Sequence, residues 1–351
     1  MFEKVVIVTR KTRLEELVER FNTREQARFY IEHAGADFAG YQAEHDVYKL
    51  AVETLVAKTS RLAKVQLIER AFLPNFFFTA QDVVVTIGQD GLVVNTAKYL
   101  NGQPIIAVNP DPARIDGVLL PYSLEDAPAA IVQLMRGQAI MRRITMAEAR
   151  LNDGQHMLAF NDLFIGVRTH TSARYQIALG SQSEPQSSSG IIVSTGAGST
   201  GWLSSMFNMA SGIDRLLDSS AQAAGAIRLS WEDERLVFVV REPFISRTSQ
   251  ANIVAGFITP ERELVLESHT PENGVIFSDG IEADYISFNS GAIARVCVAQ
   301  KKTNLVVPAV SASEARIGDA SPGRRRRTVH RGRADLQPDQ SRVSAHRRAR
   351  R

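Results

Sequence analysis

The stretch that most constrains this chain is residues 82–101. Val83, Val84, Val85, Thr86 and Ile87 form an unbroken β-branched run opened by Asp82, the pattern of a buried strand. The run passes straight into Gly88-Gln89-Asp90-Gly91. A helix-favouring segment, Leu92 to Leu100, follows and stops at Asn101-Gly102. A strand, a glycine-flanked turn and a helix in that order make a corner where backbone can approach a ligand closely and where the first N–H groups of the helix favour an anion. Asp90 stands at the apex and opposes that field. Either it has a task, such as holding a metal or accepting a proton, or the corner is only a tight turn with an aspartate cap.

At 351 residues the chain is long enough for two domains, each with its own core. Its 44% hydrophobic and 23% charged content is that of a globular chain. The single cysteine, Cys297, excludes an internal disulfide framework and suits a reducing, cytoplasmic setting. No run of apolar residues approaches the roughly 18 of a membrane span. Met1 to Val8 reads as a first strand, not a targeting segment.

The formal charge of +3 hides an asymmetry. Residues 311–351 hold twelve arginines against Glu314, Asp319, Asp335 and Asp339, a balance of +8, so the rest of the chain carries −5. The body is therefore mildly acidic, which argues against a nucleic-acid-binding role for it. The tail, with its Arg324 to Arg327 run and no apolar periodicity, reads as disordered. Contact with RNA or an acidic surface is open to that run alone.

In chain order, Val5–Val8 reads as a strand and Thr9–Arg13 as a basic turn. Helical patterns follow, with Leu14, Leu17, Val18 and Phe21 on one face, then a helix over 24–32. A third helix over 45–58 has Val47, Leu50, Ala51, Thr54 and Leu55 inward. Val65–Ile68 reads as a short strand and 74–78 as a loop with packed aromatics. Strand 83–87, helix 92–100, strand 104–108 and helix 124–136 complete the pattern. Strands alternating with helices imply a parallel, doubly wound, Rossmann-like sheet, whose ligands sit beyond the carboxyl ends of the strands. Past residue 138 strand patterns dominate, at 144–151, 156–160, 163–167, 174–179, 191–194, 226–231, 236–240, 264–267, 274–277 and 293–299. Many alternate apolar with polar, as antiparallel strands with one wet face do. One helix, 202–210, interrupts them. The expected division is an α/β domain over 1–138, an antiparallel β-rich domain over 139–306 and the tail over 307–351.

Two further stretches carry chemistry. Asn161 and Asp162 fall side by side at a turn between two strands. Residues 188–202 run from a strand into Ser194-Thr195-Gly196-Ala197-Gly198-Ser199-Thr200-Gly201-Trp202, a small-residue loop ahead of a helix. Its open backbone and hydroxyls suit phosphates or ribose hydroxyls, and Trp202 offers a face for stacking. A plain Gly/Ser connector is the other reading.

Taken in order, these stretches resemble the NAD kinase family, whose members carry a Gly-Gly-Asp-Gly-Thr turn, an Asn-Glu pair and a Ser-Thr-Pro-Thr-Gly-Ser-Thr-Ala-Tyr loop. They correspond here to 88–92, 161–162 and 194–202. The resemblance spans about residues 4–306. It leans toward the branch containing mitochondrial NAD kinases through Lys11-Thr12-Arg13, Asn109-Pro110-Asp111-Pro112, Arg241-Glu242-Pro243, Ser278-Asp279-Gly280 and Asn289-Ser290-Gly291. It implies transfer of the ATP γ-phosphoryl group to the 2′-hydroxyl of the adenosine ribose of NAD, with a divalent metal such as Mg2+ on the triphosphate. Asp90 would be the general base. Gly88, Gly91, Asn161, Asp162, Ser199, Thr200, Gly201, Trp202 and Ser205 would line the substrate sites. The family also implies a homo-oligomer. From their charge and placement Lys11 and Arg13 are candidates for the ATP phosphates, with a solvated basic turn as the alternative. Four positions depart from the pattern: Gln89 for the second glycine, Leu92 for the threonine, Asp162 for the glutamate and Trp202 for the tyrosine. A kinase of the same superfamily with a lipid, sugar or nucleoside acceptor, or a non-catalytic dinucleotide-binding protein, are the competing readings.

Overall fold

The structure, a computed structural model, describes residues 2–217 and 227–309. Strands β1 (Lys4–Thr9), β2 (Lys64–Glu69), β3 (Asp82–Ile87) and β4 (Pro104–Val108) lie parallel in the order β2-β1-β3-β4. Because side chains alternate along a strand, two separate cores result. Val6, Val8, Val84 and Ile105 pack against Leu92, Val93 and Ala97 of α4 (Asp90–Tyr99). Val5, Ile7, Val83, Val85 and Ile106 pack on the other face. There they meet Tyr48, Ala51 and Leu55 of α3 (Phe38–Thr59) and Ile131 and Leu134 of α5 (Ala127–Met135). Burial on both faces is why β1, β3 and β4 read as continuous apolar runs, unlike the largely exposed β2.

Helices α1 (Arg13–Phe21) and α2 (Arg24–His33) form a small outlying cluster with the start of α3, through Leu14, Ile31 and Phe38. Thr12 and Glu15 close a reciprocal capping box that fixes where α1 begins. Helix α3 starts at Phe38, well before the expected residue 45, because Asp37 caps it by accepting from the Ala39 N–H and Gly40 is absorbed into its first turn. Its inward stripe is Tyr48, Ala51, Leu55 and Thr59. Val47 and Leu50, expected inside, are exposed. Ala51 and Leu55 lie inward as expected, while Tyr48 takes the place of Val47 because its ring packs inward and its hydroxyl reaches polar partners.

The second half adds β5 (Ile140–Leu151), β6 (His156–Ala159), β7 (Asp162–Val167), β8 (Ala173–Leu179), β9 (Gln182–Ser188) and β10 (Ile191–Ser194). Helix α6 (Trp202–Leu217) follows, and then β11 (Leu236–Val240), β12 (Ala255–Ile258), β13 (Leu264–Ser268), β14 (Gly274–Ser278), β15 (Tyr285–Ser287) and β16 (Ile293–Val307). Six of them make an antiparallel sheet, β12-β11-β10-β7-β14-β15. Its inner face (Ile165, Ile191, Val193, Phe238, Ile276) packs on Ile177, Leu179, Leu264, Leu266 and Val296 of the facing sheet. Strand β16 ties the halves together. It pairs antiparallel with β13 and β5, shifts register between Val298 and Lys302, and ends parallel to β4 with Leu305 opposite Ile105. It was expected to stop at Ala299, where Gln300-Lys301-Lys302 interrupts the apolar alternation; Ala299, Gln300 and Lys301 occupy the register shift, and Lys302 resumes pairing opposite Thr145.

Expected strand 226–231 is not formed: residues 227–230 have no regular structure, and Ala226 lies outside the described residues. The expected disordered tail over 307–351 also lies, from residue 310 onward, outside them. No described helix is long and apolar enough to cross a membrane.

Candidate active site

Strand β3 delivers its last residue, Ile87, to the carboxyl edge of the parallel strands, and three contacts pin the corner there. The Tyr48 hydroxyl donates to the Ile87 carbonyl at 3.0 Å and accepts from the Arg10 N–H at 2.9 Å. The Gly88 N–H donates to the Val108 carbonyl at 3.3 Å. A β-carbon at Gly88 would lie 3.0 Å from Leu92 Cδ2, so glycine lets the turn close over α4. Leu92 itself is buried in the core beneath the turn. The side chain where the resembling family has threonine therefore contributes packing here, not a hydroxyl. Gln89 is extended, exposed, and immediately precedes α4. Gly91 is exposed, with open space on its side-chain side.

Asp90 opens α4, half-buried. Its Oδ1 accepts from the Leu119 N–H at 2.9 Å and its Oδ2 from the Val118 N–H at 3.2 Å. The loop that supplies these donors is held by Asn109, which accepts from the Asp111 N–H and donates to the Ile115 carbonyl. Gly117 turns it with φ +60°, and a β-carbon there would sit 2.9 Å from Asn109 Nδ2. The carboxylate is thus fixed in direction by backbone.

Sheet register brings the other motifs to one end of three neighbouring strands. Ser194 on β10 lies opposite Asp162 on β7, and Ser278 on β14 lies opposite Leu163. The Asn161–Asp162 turn, the loop after Ser194 and the Ser278–Gly280 turn are therefore adjacent. Thr195 holds the first from one side: its N–H donates to the Asn161 carbonyl at 2.9 Å and its hydroxyl to the Phe160 carbonyl at 2.6 Å. A β-carbon at Gly198 would fall 2.1 Å from the same Asn161 carbonyl oxygen, so only glycine permits this approach. Asp162 has its carboxyl pushed up to about 7 by burial and by the charge of Asp279. The buried Ser199 hydroxyl donates to the Gly196 carbonyl at 2.7 Å within the loop. Thr200, Gly201 and Ser205 are exposed at its mouth. Trp202 stacks on Phe164, ring centroids 5.7 Å apart and 9° from parallel, and the Arg241 guanidinium lies over both rings.

The basic turn after β1 is engaged with carboxylates. Lys11 pairs with Glu19 at 2.6 Å, Arg13 donates to Glu44 at 2.6 Å, and Arg10 donates to the same carboxylate at 3.1 Å. Burial pushes Glu44 up, but the bonds from Arg13 and Arg10 outweigh it and hold the carboxyl below its usual range. Arg10 Nε is buried without a hydrogen-bond partner among the described residues. Two cavities open here. One of about 410 Å³ is bounded by Arg10, Arg13, Tyr41, Gln89, Asp111 and Arg114. The other, about 760 Å³, runs from Arg10, Lys11, Arg13 and Gln89 along Asn95 and Tyr99 of α4 to Ile281 and Asp284. Volumes of this size suit small ligands. Among the described residues no group of three or more His, Cys, Asp or Glu is placed to hold a metal.

Three residues of this site were not singled out from sequence as functional: Tyr48, Glu44 and Lys98. Tyr48 lies outside the set of residues expected to face inward on its helix. Glu44 and Lys98 are charged residues on helices with no motif around them. Asp279 lay within a recognised motif, but its contacts come from residues more than a hundred positions away.

The architecture defines a class: a parallel α/β sheet with a glycine-aspartate corner at its carboxyl edge, joined through a shared strand to a β-sandwich. No family model matches the chain. The solved NAD kinase of Archaeoglobus fulgidus in complex with ATP has this fold, with TM-score 0.53, 15% identity, and coverage of 86% of this chain and 92% of that one. Yeast NADH kinase complexed with NADH has it too, with TM-score 0.52, 13% identity, and coverage of 88% and 84%. In sequence the chain is 22% identical to mitochondrial NAD kinase 2 of Rattus norvegicus, over 84% of this chain and 85% of that protein. The Homo sapiens counterpart is likewise 22% identical, over 84% and 81%. The chain thus has the fold of these solved kinases and is similar in sequence to mitochondrial NAD kinase 2 over most of its length.

Proposed function

We propose that this protein transfers the γ-phosphoryl group of MgATP to the 2′-hydroxyl of the adenosine ribose of NAD, giving NADP and ADP. The observation that carries the reading is the Gly88–Asp90 corner, where a carboxylate aimed by two backbone N–H bonds stands at the carboxyl edge of a parallel sheet beside cavities lined with Arg10, Lys11 and Arg13. Asp90 takes the proton of the attacking hydroxyl. The freed oxygen forms its bond to the γ-phosphorus as the bond to the β–γ bridging oxygen breaks, leaving ADP. Positioning and charge neutralisation supply most of the rate in such transfers. Residues 1–138 would then provide the donor side and residues 139–306 the acceptor side. Asn161 and Asp162 would hold ribose hydroxyls, and Ser199, Thr200, Gly201, Trp202 and Ser205 would line the dinucleotide pocket. The metal arrives on the triphosphate as part of the substrate.

The homo-oligomer reading is supported by exposed apolar side chains in the β-rich half, Ile213, Leu216 and Leu217 of α6 and Phe244 and Ile245 beyond β11. A reducing, cytoplasmic setting accords with the free, buried Cys297.

The test is an end-point assay with MgATP and NAD, reading NADP through an NADP-specific dehydrogenase. ATP-dependent NADP formation is expected, and Asp90→Asn should lower the rate by about 100-fold or more. An undiminished rate in that variant would remove Asp90 from the base role. No NADP, with NAD still raising the melting temperature, would favour a binding protein.

A further inference from the structure

Helix α4 starts with Asp90 and carries Lys98 in its last turn, eight residues on, so about 12 Å of helix separates them. Lys98 is largely buried. Its Nζ donates to the Ser278 hydroxyl at 3.0 Å and lies 3.8 Å from Oδ2 of Asp279, whose side chain is sealed from solvent. Asp279 holds a left-handed backbone, φ +55°, and turns its carboxylate into the Asn161–Asp162 turn. Oδ1 accepts from the N–H of Asn161 at 2.7 Å and of Asp162 at 3.3 Å, and Oδ2 from the N–H of Phe160 at 3.2 Å. The Asp279 N–H donates back to the Asp162 carbonyl at 2.9 Å. Thr195 meanwhile takes the carbonyls of Phe160 and Asn161 from the other side.

We propose that Lys98 and Asp279 are positioning residues that set the register between the two halves of the site. Through them the helix that begins with Asp90 is joined to the turn that presents Asn161 and Asp162. This rests on the kinase reading above and extends it to residues that touch neither the triphosphate nor the reacting atoms.

The charge arrangement shows why the join must be ionic. Burial raises the carboxyls of both Asp162 and Asp279, and the charge of Asp279 raises Asp162 further. Lys98 is the cation beside Asp279, and burial lowers its own affinity for the proton while Asp279 and Asp284 oppose that. With Lys98 gone, Asp279 keeps its backbone bonds but loses the charge that lets it lie beside Asp162, so the turn moves away from α4. The large cavity borders both elements, with Asn95 and Tyr99 on α4 and Ile281 and Asp284 just past Asp279. A shift there changes the acceptor side before it changes the donor side.

The experiment is steady-state kinetics of the full chain with NAD and MgATP varied separately, for wild type, Lys98→Met, Lys98→Arg and Ser278→Ala. Lys98→Met is expected to lower kcat/KM for NAD by about tenfold or more while KM for ATP changes less than about twofold. Lys98→Arg, which keeps the charge, recovers most of the loss. Ser278→Ala, which removes only the hydroxyl bond, moves in the same direction by about two- to threefold and serves if Lys98→Met does not fold. Parallel changes in both substrates, or no change in KM and kcat for NAD, overturn the proposal while the kinase reading stands. A wild-type chain that forms no NADP and shows no NAD-dependent melting shift is the separate failure of the kinase reading, and the proposal falls with it.

Discussion

The Tyr48 hydroxyl is a relay between two strand ends: it donates to the carbonyl of Ile87 at the end of β3 while accepting from the N–H of Arg10 just past β1. Burial pushes its pKa up to about 12, so it remains a neutral donor at any working pH. Tyr48→Phe keeps the ring and leaves one carbonyl and one N–H without a partner. The expected cost is about 2 kcal/mol, read as a lower urea midpoint with an unchanged slope. Activity should fall further than stability alone explains, because the corner bearing Asp90 loses its anchor. A midpoint equal to wild type would mean that water replaces the hydroxyl and that the relay is dispensable.

Glu44 occupies two of the arginines that line the cavities. Arg13 and Arg10 both donate to it, and the unsatisfied Nε of Arg10 shows that this guanidinium is not fully used among the described residues. Glu44→Gln removes the carboxylate charge at nearly constant shape, leaving more positive potential for a polyphosphate. KM for ATP is expected to fall about two- to fivefold at low salt, with the gain shrinking as salt is added. An increase in KM for ATP would show instead that Glu44 aims the arginines at the ligand.

Much of this arrangement is legible in the sequence. The β3–α4 corner is, because a β-branched strand, glycines and a helix each leave a local signature. The β-rich half is legible where strands alternate. Strand β9 is not: its inward residues are Glu184, Gln186 and Ser188. They are polar because they serve buried backbone, Glu184 accepting from the N–H groups of Asn252 and Ile253 at 2.8 Å each. Hydrophobic periodicity cannot find a strand whose core side is a hydrogen-bond network. The same limit hid Lys98, whose role depends on Asp279, 181 positions later. A charged residue in an exposed-looking helix turn carries no sign of such a partner.

Asp162 makes stability depend on pH in a defined sense. Its folded-state carboxyl is raised from 3.8 to about 7 by burial and by Asp279, so between those values the folded chain binds more protons than the unfolded one. The associated stability is fully present below the unfolded value and is lost as pH rises through about 7. Asp162→Asn abolishes this loss. The variant should therefore gain melting temperature relative to wild type between pH 5 and pH 8, by roughly a few degrees. A difference that stays flat over that range would place the Asp162 carboxyl in contact with solvent and outside the influence of Asp279.

Gly198 decides whether the small-residue loop can lie against the Asn161–Asp162 turn. The chain passes so near the Asn161 carbonyl that an alanine β-carbon would be 2.1 Å from its oxygen, a backbone contact that no rotamer change can relieve. The Thr195 bonds to Phe160 and Asn161 hold the same turn, so Gly198→Ala must push the loop outward or pull these bonds apart. Because Thr200, Gly201 and Trp202 follow directly, the displacement falls on the proposed dinucleotide pocket and not on the cations after β1. The expected result is a rise of about tenfold or more in KM for NAD with KM for ATP nearly unchanged. Gly201→Ala is the comparison, since its β-carbon would lie 3.4 Å from the Gly198 carbonyl oxygen, an ordinary contact within the same loop. If both variants raise KM for NAD equally, steric closure at Asn161 is not what shapes the pocket. If only Gly198→Ala does, the glycine is required for loop-to-turn packing, and the loop's composition is set by that contact as much as by its ligand.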